Sequence, residues 1–167
     1  GYLPIVHSFA AFLTSRAAEQ IYNNATEGTK LIYVGGLAGL IPGAPGHSHQ
    51  ATRDVRSMGS MPGISVLEPA SPAEVKLCLD WAVRTSGQSC YLRLISGSYN
   101  AARVSRVEPE PLRIGVGQVM QPGSSVAIVA SGPFLTELAL EVAAELNSRE
   151  GWSPKVINAR WLSEADA

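Results

Sequence analysis

The sequence predicts an α/β fold, a doubly wound and mainly parallel sheet with helices on both faces, followed by the start of a second α/β domain. Two observations support this fold class. Short apolar, β-branched runs alternate with segments whose apolar residues recur at helical spacing, a pattern typical of parallel strands joined by right-handed crossovers. In addition, 46% of the 167 residues are hydrophobic and only 16% are charged, a balance that suits a sheet covered on both faces and not a disordered chain.

The first hundred residues contain four predicted strands, at 4–8, 29–35, 64–67 and 89–95. Predicted helices lie between them at 12–25, 49–61 and 73–85. The third helix has the clearest beginning. Ser71 is a good N-cap, Pro72 takes the first helical position, and Glu74 follows Ser71 by three residues, as in a capping box.

The pattern changes after residue 95 and then starts again. Residues 101–123 have the composition of a linker, and 114–120 is expected to form a small hairpin. A strand at 125–131, a helix at 134–149 and a strand at 155–159 follow. We therefore expect a domain boundary near residues 100 to 120.

Bulk properties argue against several function classes. The net charge is −1 and the basic residues are scattered, so neither nucleic acid nor an anionic membrane is an expected partner. No apolar run reaches about 18 residues, the length of a membrane-spanning helix.

Cys78 falls in an apolar helical pattern and Cys90 opens a strand, so both are predicted to be buried free thiols. We expect a cytoplasmic setting.

Candidate site residues follow the predicted strands, because ligands bind at the carboxyl ends of parallel strands. Phe9 and Phe12 lie at the first strand-to-helix turn and are either core residues or a flat aromatic wall for a ring. Glu68 follows the third strand, where a carboxylate near a helix start is the preferred interpretation.

The glycine-rich loop at 43–50 is the third candidate. Ser48 is expected to cap the next helix, which would place His49 in its first turn. His49 either hydrogen-bonds substrate or is solvated. His47 is close by, but no third residue accompanies the two histidines at metal-ligand spacing, so no metal site is predicted.

Six stretches carry a family resemblance. They are 4–14 (PIVHSFAAFLT), 16–21 (RAAEQI), 38–50 (AGLIPGAPGHSHQ), 61–70 (MPGISVLEPA), 91–94 (YLRL) and 126–132 (VAIVASG). In order and spacing, these stretches resemble segments of transketolases and deoxyxylulose-phosphate synthases, enzymes that depend on thiamine diphosphate. Asp54 also matches a position where the family often carries an acid.

The resemblance implies a domain organisation and a set of roles. Residues 1–100 would be part of a pyrimidine-binding domain, 101–123 a linker, and 124–167 the beginning of the transketolase C-terminal domain. Phe12 would lie against the cofactor's pyrimidine ring, with Phe9 as a supporting wall. His49 would be the catalytic residue that donates hydrogen bonds or moves protons. His47, Ser48 and Arg93 would contact substrate.

The implied function is two-carbon ketol transfer, a reaction that makes or breaks C–C bonds next to a carbonyl, and the alternatives stay open. A β-subunit-like component of a 2-oxo acid dehydrogenase or decarboxylase would use a similar loop, and a non-catalytic α/β assembly module would retain only the fold. Pro45 stands where transketolases often have an aspartate, and Leu37 where some have a histidine. A sugar phosphate and a 2-oxo acid therefore both remain candidate substrates.

The resemblance also implies that the site is completed elsewhere. The family's activating glutamate precedes the matched region, and Mg²⁺ with the diphosphate would be held by a domain not in this chain. We expect the chain to be a fragment whose partner is a diphosphate-binding domain or subunit, in a homodimer or heterotetramer. The isolated 167 residues are expected to be inactive.

Overall fold

The computed structural model describes residues 1–97 and 100–163. Within these ranges the strands are β1 Ile5–Phe9, β2 Ile32–Gly36, β3 Ile64–Leu67, β4 Ser89–Arg93, β5 Gln118–Gln121, β6 Val126–Ala130 and β7 Pro154–Asn158. The α-helices are α1 Ala10–Arg16, α2 Ala18–Thr26, α3 Asp54–Gly59, α4 Pro72–Arg84 and α5 Gly132–Asn147, and a 3-10 turn spans Val104–Arg106.

The strands form two sheets, which confirms the predicted fold class. The first sheet has the order β1-β2-β4-β3 and is entirely parallel. The second has the order β5-β7-β6, with β6 parallel and β5 antiparallel to β7. Strand β4 is buried along most of its length because it is central and covered on both faces. All four carboxyl ends of the first sheet lie at one edge, where the predicted site residues follow the strands.

Helix α4 begins as its sequence predicts. The Ser71 hydroxyl accepts a hydrogen bond from the Glu74 backbone N–H at 3.1 Å, and Pro72 occupies the first turn. The Glu74 carboxylate accepts from the backbone N–H of Ala70 at 2.6 Å, one residue before the cap. Two of the unpaired donors around the helix start are thereby satisfied.

The predicted helix at 12–25 is in fact two helices. The chain leaves helical geometry at Ala17, where φ is −98° and ψ is 14°. One turn earlier, the hydroxyl of Thr14 donates to the backbone oxygen of Ala10 at 2.8 Å, and that of Ser15 donates to the backbone oxygen of Ala11. Such side-chain bonds to the preceding turn bend helices, which accounts for the interruption.

The hairpin predicted at 114–120 is wrong. Residues Gln118–Gln121 form β5, which pairs with β7 more than thirty residues further along the chain. The local turn is made earlier, where Val116 N–H donates to Arg113 O at 3.1 Å and Gly115 has φ of 76°. The domain boundary expected near residues 100 to 120 stays a prediction.

The segment after β7 joins the two sheets. Glu68 N–H donates to Arg160 O at 2.9 Å, and Leu162 N–H donates to Val66 O at 2.9 Å, so residues 160–162 run along the free edge of β3. Trp161 packs edge-on against Trp81 of α4, with ring centroids 4.9 Å apart. The second sheet is thereby held close to the carboxyl edge of the first.

Two further properties concern the described residues. Cys78 and Cys90 are both buried, and neither forms a disulfide, as predicted. In residues 1–97 and 100–163, none of the helices has both the length and the apolar character needed to cross a bilayer.

Candidate functional site

Three rings meet at the carboxyl end of β1. Phe9 ends the strand, Phe12 lies in the first turn of α1, and His49 comes from the loop after β2. The two phenyl centroids are 5.8 Å apart, and the imidazole centroid is 6.0 Å from Phe9 and 5.0 Å from Phe12. We call these three residues the aromatic cluster. The fold thus brings together the two predicted cofactor-binding residues and the predicted catalytic histidine.

The aromatic cluster is open to solvent on one side. Phe9 is 44% exposed, so part of its ring surface is accessible to another molecule. The guanidinium carbon of Arg16 lies 4.1 Å from the centroid of Phe12, a cation–π contact that helps to hold that ring. The Ser48 hydroxyl and His49 Nδ1 are 3.0 Å apart and share a hydrogen bond, which fixes the imidazole and leaves Nε2 as its second polar atom.

The loop that carries His49 is not helical, and this corrects two expectations. Helix α3 begins at Asp54, so Ser48 does not cap it and His49 does not lie in its first turn. Instead, His49 N–H closes a turn on Gly46 O at 3.1 Å. Ala51 and Gly39 then exchange two backbone hydrogen bonds of 3.0 and 3.1 Å, which ties the end of the loop to its beginning. These bonds occupy the backbone groups that a helix start would need.

The predicted substrate residues are placed in two different surroundings. His47 and Ser48 are exposed beside His49. Arg93, at the end of β4, is mostly buried among acidic groups. Its Nε donates to Asp54 Oδ2 at 2.8 Å, and its Nη1 donates to Glu68 Oε1. We call Arg93, Asp54, Glu68 and Tyr91 the ion cluster.

The ion cluster is closed by a buried phenol. The hydroxyl of Tyr91 donates to Asp54 Oδ2 at 3.0 Å. Burial raises the pKa of Tyr91, and the neighbouring Asp54 raises it further, so the phenol stays a donor. Burial alone would lower the pKa of Arg93, but Glu68 and Asp54 outweigh that effect and raise it. Two carboxylates face one guanidinium, so the positive charge is already compensated within the chain.

Glu68 is the residue whose partner the sequence reasoning missed. Its neighbourhood follows from strand register, because Leu67 of β3 lies beside Leu92 of β4. The residues that come next along the chain are Glu68, just after β3, and Arg93, the last residue of β4. An acid and a base at the carboxyl ends of two neighbouring parallel strands would have been the signal. The carboxylate also lies at the start of α5, since a Cβ on Gly132 would come within 2.7 Å of Glu68 Oε1.

A cavity of about 540 Å³ lies between the carboxyl edge of the first sheet and the start of α5. Seven large apolar side chains contribute to its wall, which are Leu40, Ile41, Val55, Ile95, Phe134, Leu135 and Leu162. Glu68 and Arg93 are its charged lining residues among those the structure describes. None of the aromatic-cluster residues lines it. Over the same described ranges, no group of three His, Cys, Asp or Glu is arranged to hold a metal ion.

Comparison with known proteins gives a consistent result. The sequence profile of the family described as transketolase, pyrimidine binding domain, matches residues 1–101. A 1-deoxy-D-xylulose-5-phosphate synthase of Prochlorococcus marinus (strain MIT 9211) is 30% identical over 166 residues, which are 99% of this chain and 25% of that protein. A 6-deoxy-6-sulfo-D-fructose transketolase subunit of Clostridium sp. (strain MSTE9) is 28% identical and is covered to 50% of its length.

Solved structures agree with these relatives. A split-gene transketolase, described as an inactive β4 tetramer, superposes with a TM-score of 0.78 at 29% identity, covering 96% of this chain and 50% of that one. The transketolase of Campylobacter jejuni has the same fold, with a TM-score of 0.78 at 19% identity over 97% of this chain and 25% of its own. The chain therefore spans a quarter to a half of the length of these proteins.

Proposed function

Because the chain belongs to the transketolase family through its pyrimidine-binding domain, we propose that it supplies the pyrimidine-side wall of a thiamine-diphosphate site. The enzyme it belongs to would make or break C–C bonds next to a carbonyl, by two-carbon ketol transfer. The observation that carries this proposal is the aromatic cluster, in which Phe9, Phe12 and His49 converge at the carboxyl end of β1.

The aromatic cluster fits a flat heterocycle in both shape and polarity. Phe9 and Phe12 offer apolar ring surface, and the exposed Phe9 ring leaves room for a further ring to stack. Offset or edge-to-face contacts between rings contribute about 0.5–1.5 kcal/mol beyond area burial, and they also fix orientation. When bound, thiamine diphosphate would supply the electron sink for C–C cleavage.

His49 is proposed to act on substrate at Nε2. Its Nδ1 is held by the Ser48 hydroxyl at 3.0 Å, so the ring orientation is set by the protein. An imidazole held in this way can donate a hydrogen bond to a substrate oxygen, or take and return a proton there. The exposed His47 and Ser48 are proposed to contact the same substrate. Arg93 would meet a substrate only from the side of the cavity that it lines.

The site would be completed by a partner. We propose that a diphosphate-binding domain or subunit holds the diphosphate and Mg²⁺, in a homodimer or heterotetramer. The subunit from Clostridium, of which this chain covers half, supports a separate chain as one source of that partner. The isolated 167 residues should then show no ketol transfer, and activity from this chain alone would overturn the proposed division of the site.

The test is a calorimetric titration of the complete enzyme with thiamine diphosphate and Mg²⁺. Phe12→Ala should weaken binding by roughly 2- to 13-fold from lost stacking alone, with a further loss from buried area. The matched control is Phe134→Ala, which removes the one other phenylalanine of the chain, outside the aromatic cluster. Equal affinities for wild type and Phe12→Ala would contradict the assignment, and no binding at all would favour a non-catalytic assembly module.

The nature of the donor stays open between two classes. Pro45 is exposed in the loop before His49, at a position where transketolases often have an aspartate facing the donor sugar's hydroxyl. Because a proline stands at this position, both a 2-oxo acid and a ketose phosphate should be tested as the donor substrate. Two-carbon transfer from the ketose would support the transketolase-like reaction, whereas release of CO₂ from the 2-oxo acid would favour a β-subunit-like component of a 2-oxo acid dehydrogenase or decarboxylase.

A further inference from the structure

The loop that carries His49 is closed at its base by its own backbone. We call residues 40–50 the His49 loop. Gly39 and Ala51, the residues on either side of it, exchange two backbone hydrogen bonds of 3.1 and 3.0 Å. His49 lies two residues before this closure, so its position depends on where the base of the loop is held.

The base of the His49 loop packs on the start of α1. Ala38 and Ala51 are buried together with Ala10, and the three side chains form one apolar cluster. Ala10 is the first residue of α1, two positions before Phe12. Because protein interiors are close-packed, a displacement of the base relative to α1 would change the distance between the rings of His49 and Phe12.

One side chain contacts the backbone or side chains on both sides of the His49 loop. Before the loop, the guanidinium of Arg93 packs against Gly39, since its Nη2 and Cζ lie 2.8 and 3.7 Å from where a Cβ of Gly39 would be. After the loop, its Nε donates to Asp54 Oδ2 at 2.8 Å, and Asp54 begins α3. Arg93 is the last residue of β4, an interior strand of the first sheet, so both contacts are anchored in that sheet.

The guanidinium of Arg93 is itself held in place. Its side chain is 14% exposed, and its Nη1 donates to Glu68 Oε1 on the side away from Asp54 along the chain. The Tyr91 hydroxyl donates to the same Asp54 oxygen at 3.0 Å. A planar guanidinium can pair with two carboxylates and pack against backbone at the same time, whereas the compact ammonium of a lysine cannot reproduce this arrangement.

We propose that Arg93 is a positioning residue that sets His49 against Phe12 by holding both ends of the His49 loop. It acts through Gly39 and Asp54, and this role is separate from the substrate contact that the resemblance implies. Its value for catalysis rests on the function proposed for His49, but the claim about geometry does not. The activity of the complete enzyme with His49→Gln tests that function, whereas the position of the imidazole tests this inference.

The imidazole C–H signals of the chain in ¹H–¹³C NMR spectra report on the position of His49. The Phe12 centroid lies 5.0 Å from the imidazole centroid, so the ring current of Phe12 shifts these signals. Spectra are recorded at about pH 8.5, where an imidazole of ordinary pKa is neutral. His49→Gln identifies the signals, and Phe12→Ala gives the change that follows from complete loss of the phenyl ring.

Arg93→Lys is the decisive variant, because it retains the positive charge but loses the planar fork. We expect the His49 signals to change by at least about half as much as in Phe12→Ala, because a lysine does not hold both ends of the loop. The signals of His7, which lies on β1, should stay in place and show that the first sheet is intact. Unchanged His49 signals in a folded Arg93→Lys chain would refute the positioning role.

The matched control is Arg103→Lys. Arg103 also joins two carboxylates, since its Nη1 lies 3.4 Å from Glu137 Oε1 and 3.0 Å from Glu141 Oε1, but both partners are on α5. This change should leave the His49 signals where they are in the wild type. A change as large as that of Arg93→Lys would show that the signals respond to any loss of an arginine, and would overturn the inference.

A second variant covers the case in which Arg93→Lys does not fold. Asp54→Asn is isosteric and leaves the arginine in place, but it removes the charge that ties the guanidinium to the segment after the His49 loop. It is measured in parallel and should move the His49 signals in a folded chain, by less than Arg93→Lys because the contact with Gly39 remains. Unmoved signals in folded Asp54→Asn would contradict a hold on both ends of the loop.

Discussion

Removing one buried hydroxyl tests whether the ion cluster stabilises the fold. In Tyr91→Phe the ring remains in place, but Asp54 loses a donor that lies 3.0 Å away, while Arg93 still donates to the same carboxylate oxygen at 2.8 Å. A hydrogen bond to a charged group contributes about 1.5–3 kcal/mol net. Tyr91 is fully buried, so water does not replace the lost donor. We therefore expect the free energy of unfolding to fall by about 1.5–3 kcal/mol.

Urea unfolding followed by tryptophan fluorescence measures this loss. In a separate thermal unfolding experiment, the melting temperature of a chain of this length should fall by roughly 3–12 °C, since each kcal/mol of lost stability corresponds to about 2–4 °C. Tyr22→Phe is the matched control, because Tyr22 is 53% exposed and removal of its hydroxyl should change stability by less than about 0.5 kcal/mol. A Tyr91→Phe loss no larger than that of the control would refute the stabilising role assigned to the hydrogen bond.

Three further predictions concern other parts of the chain. Gly39→Ala should destabilise by about 1–2 kcal/mol from its φ of 77°, with an additional loss from contact with the guanidinium of the ion cluster. Gly28→Ala has a similar φ of 70° and nothing within 4 Å, so denaturant unfolding should show the strain alone, and equal losses would contradict the contact. Ser71→Ala should cost about 1 kcal/mol by loss of the cap, whereas Ser48→Ala, which caps no helix, should leave the unfolding midpoint nearly unchanged. Burial, with a smaller effect of the neighbouring Glu74, raises the pKa of Cys78 to about 12, so a thiol reagent at about pH 8 should modify it only after denaturant is added.

The fold class was predictable because its determinants are local. Alternating apolar runs and helical periodicities specify strands and helices within a few residues, and the start of α4 depends on three side chains within one helical turn, Ser71, Pro72 and Glu74. The helix break at Ala17 was also local, but it depends on Thr14 and Ser15 bonding to the preceding turn, a competition that apolar spacing does not reveal.

The membership of the aromatic cluster was predicted, but the conformation of its loop was not. The resemblance assigned Phe9, Phe12 and His49 to one site, and the rings lie within 6.0 Å of one another. The expectation that His49 lies in a helix failed because pairing between Gly39 and Ala51 closes the loop instead. Backbone pairing between the two ends of a loop can form in place of a helix start when it satisfies the hydrogen-bonding groups that the helix would otherwise use.

The sequence by itself determined the alternation of strands and helices that defines the fold class, the cap of α4 and the buried thiols, and the resemblance it carries assigned the residues that form the aromatic cluster. Only the tertiary structure decided that β5 pairs with β7, that Arg93 is compensated by Asp54 and Glu68, and that a cavity opens against α5. The physical reason is sequence separation. Helix caps and periodicities act over a few residues, whereas the two ion pairs of Arg93 join groups 25 and 39 positions apart, and strand pairing joins Gln118 to Asn158. Only the assembled sheets bring such distant groups together.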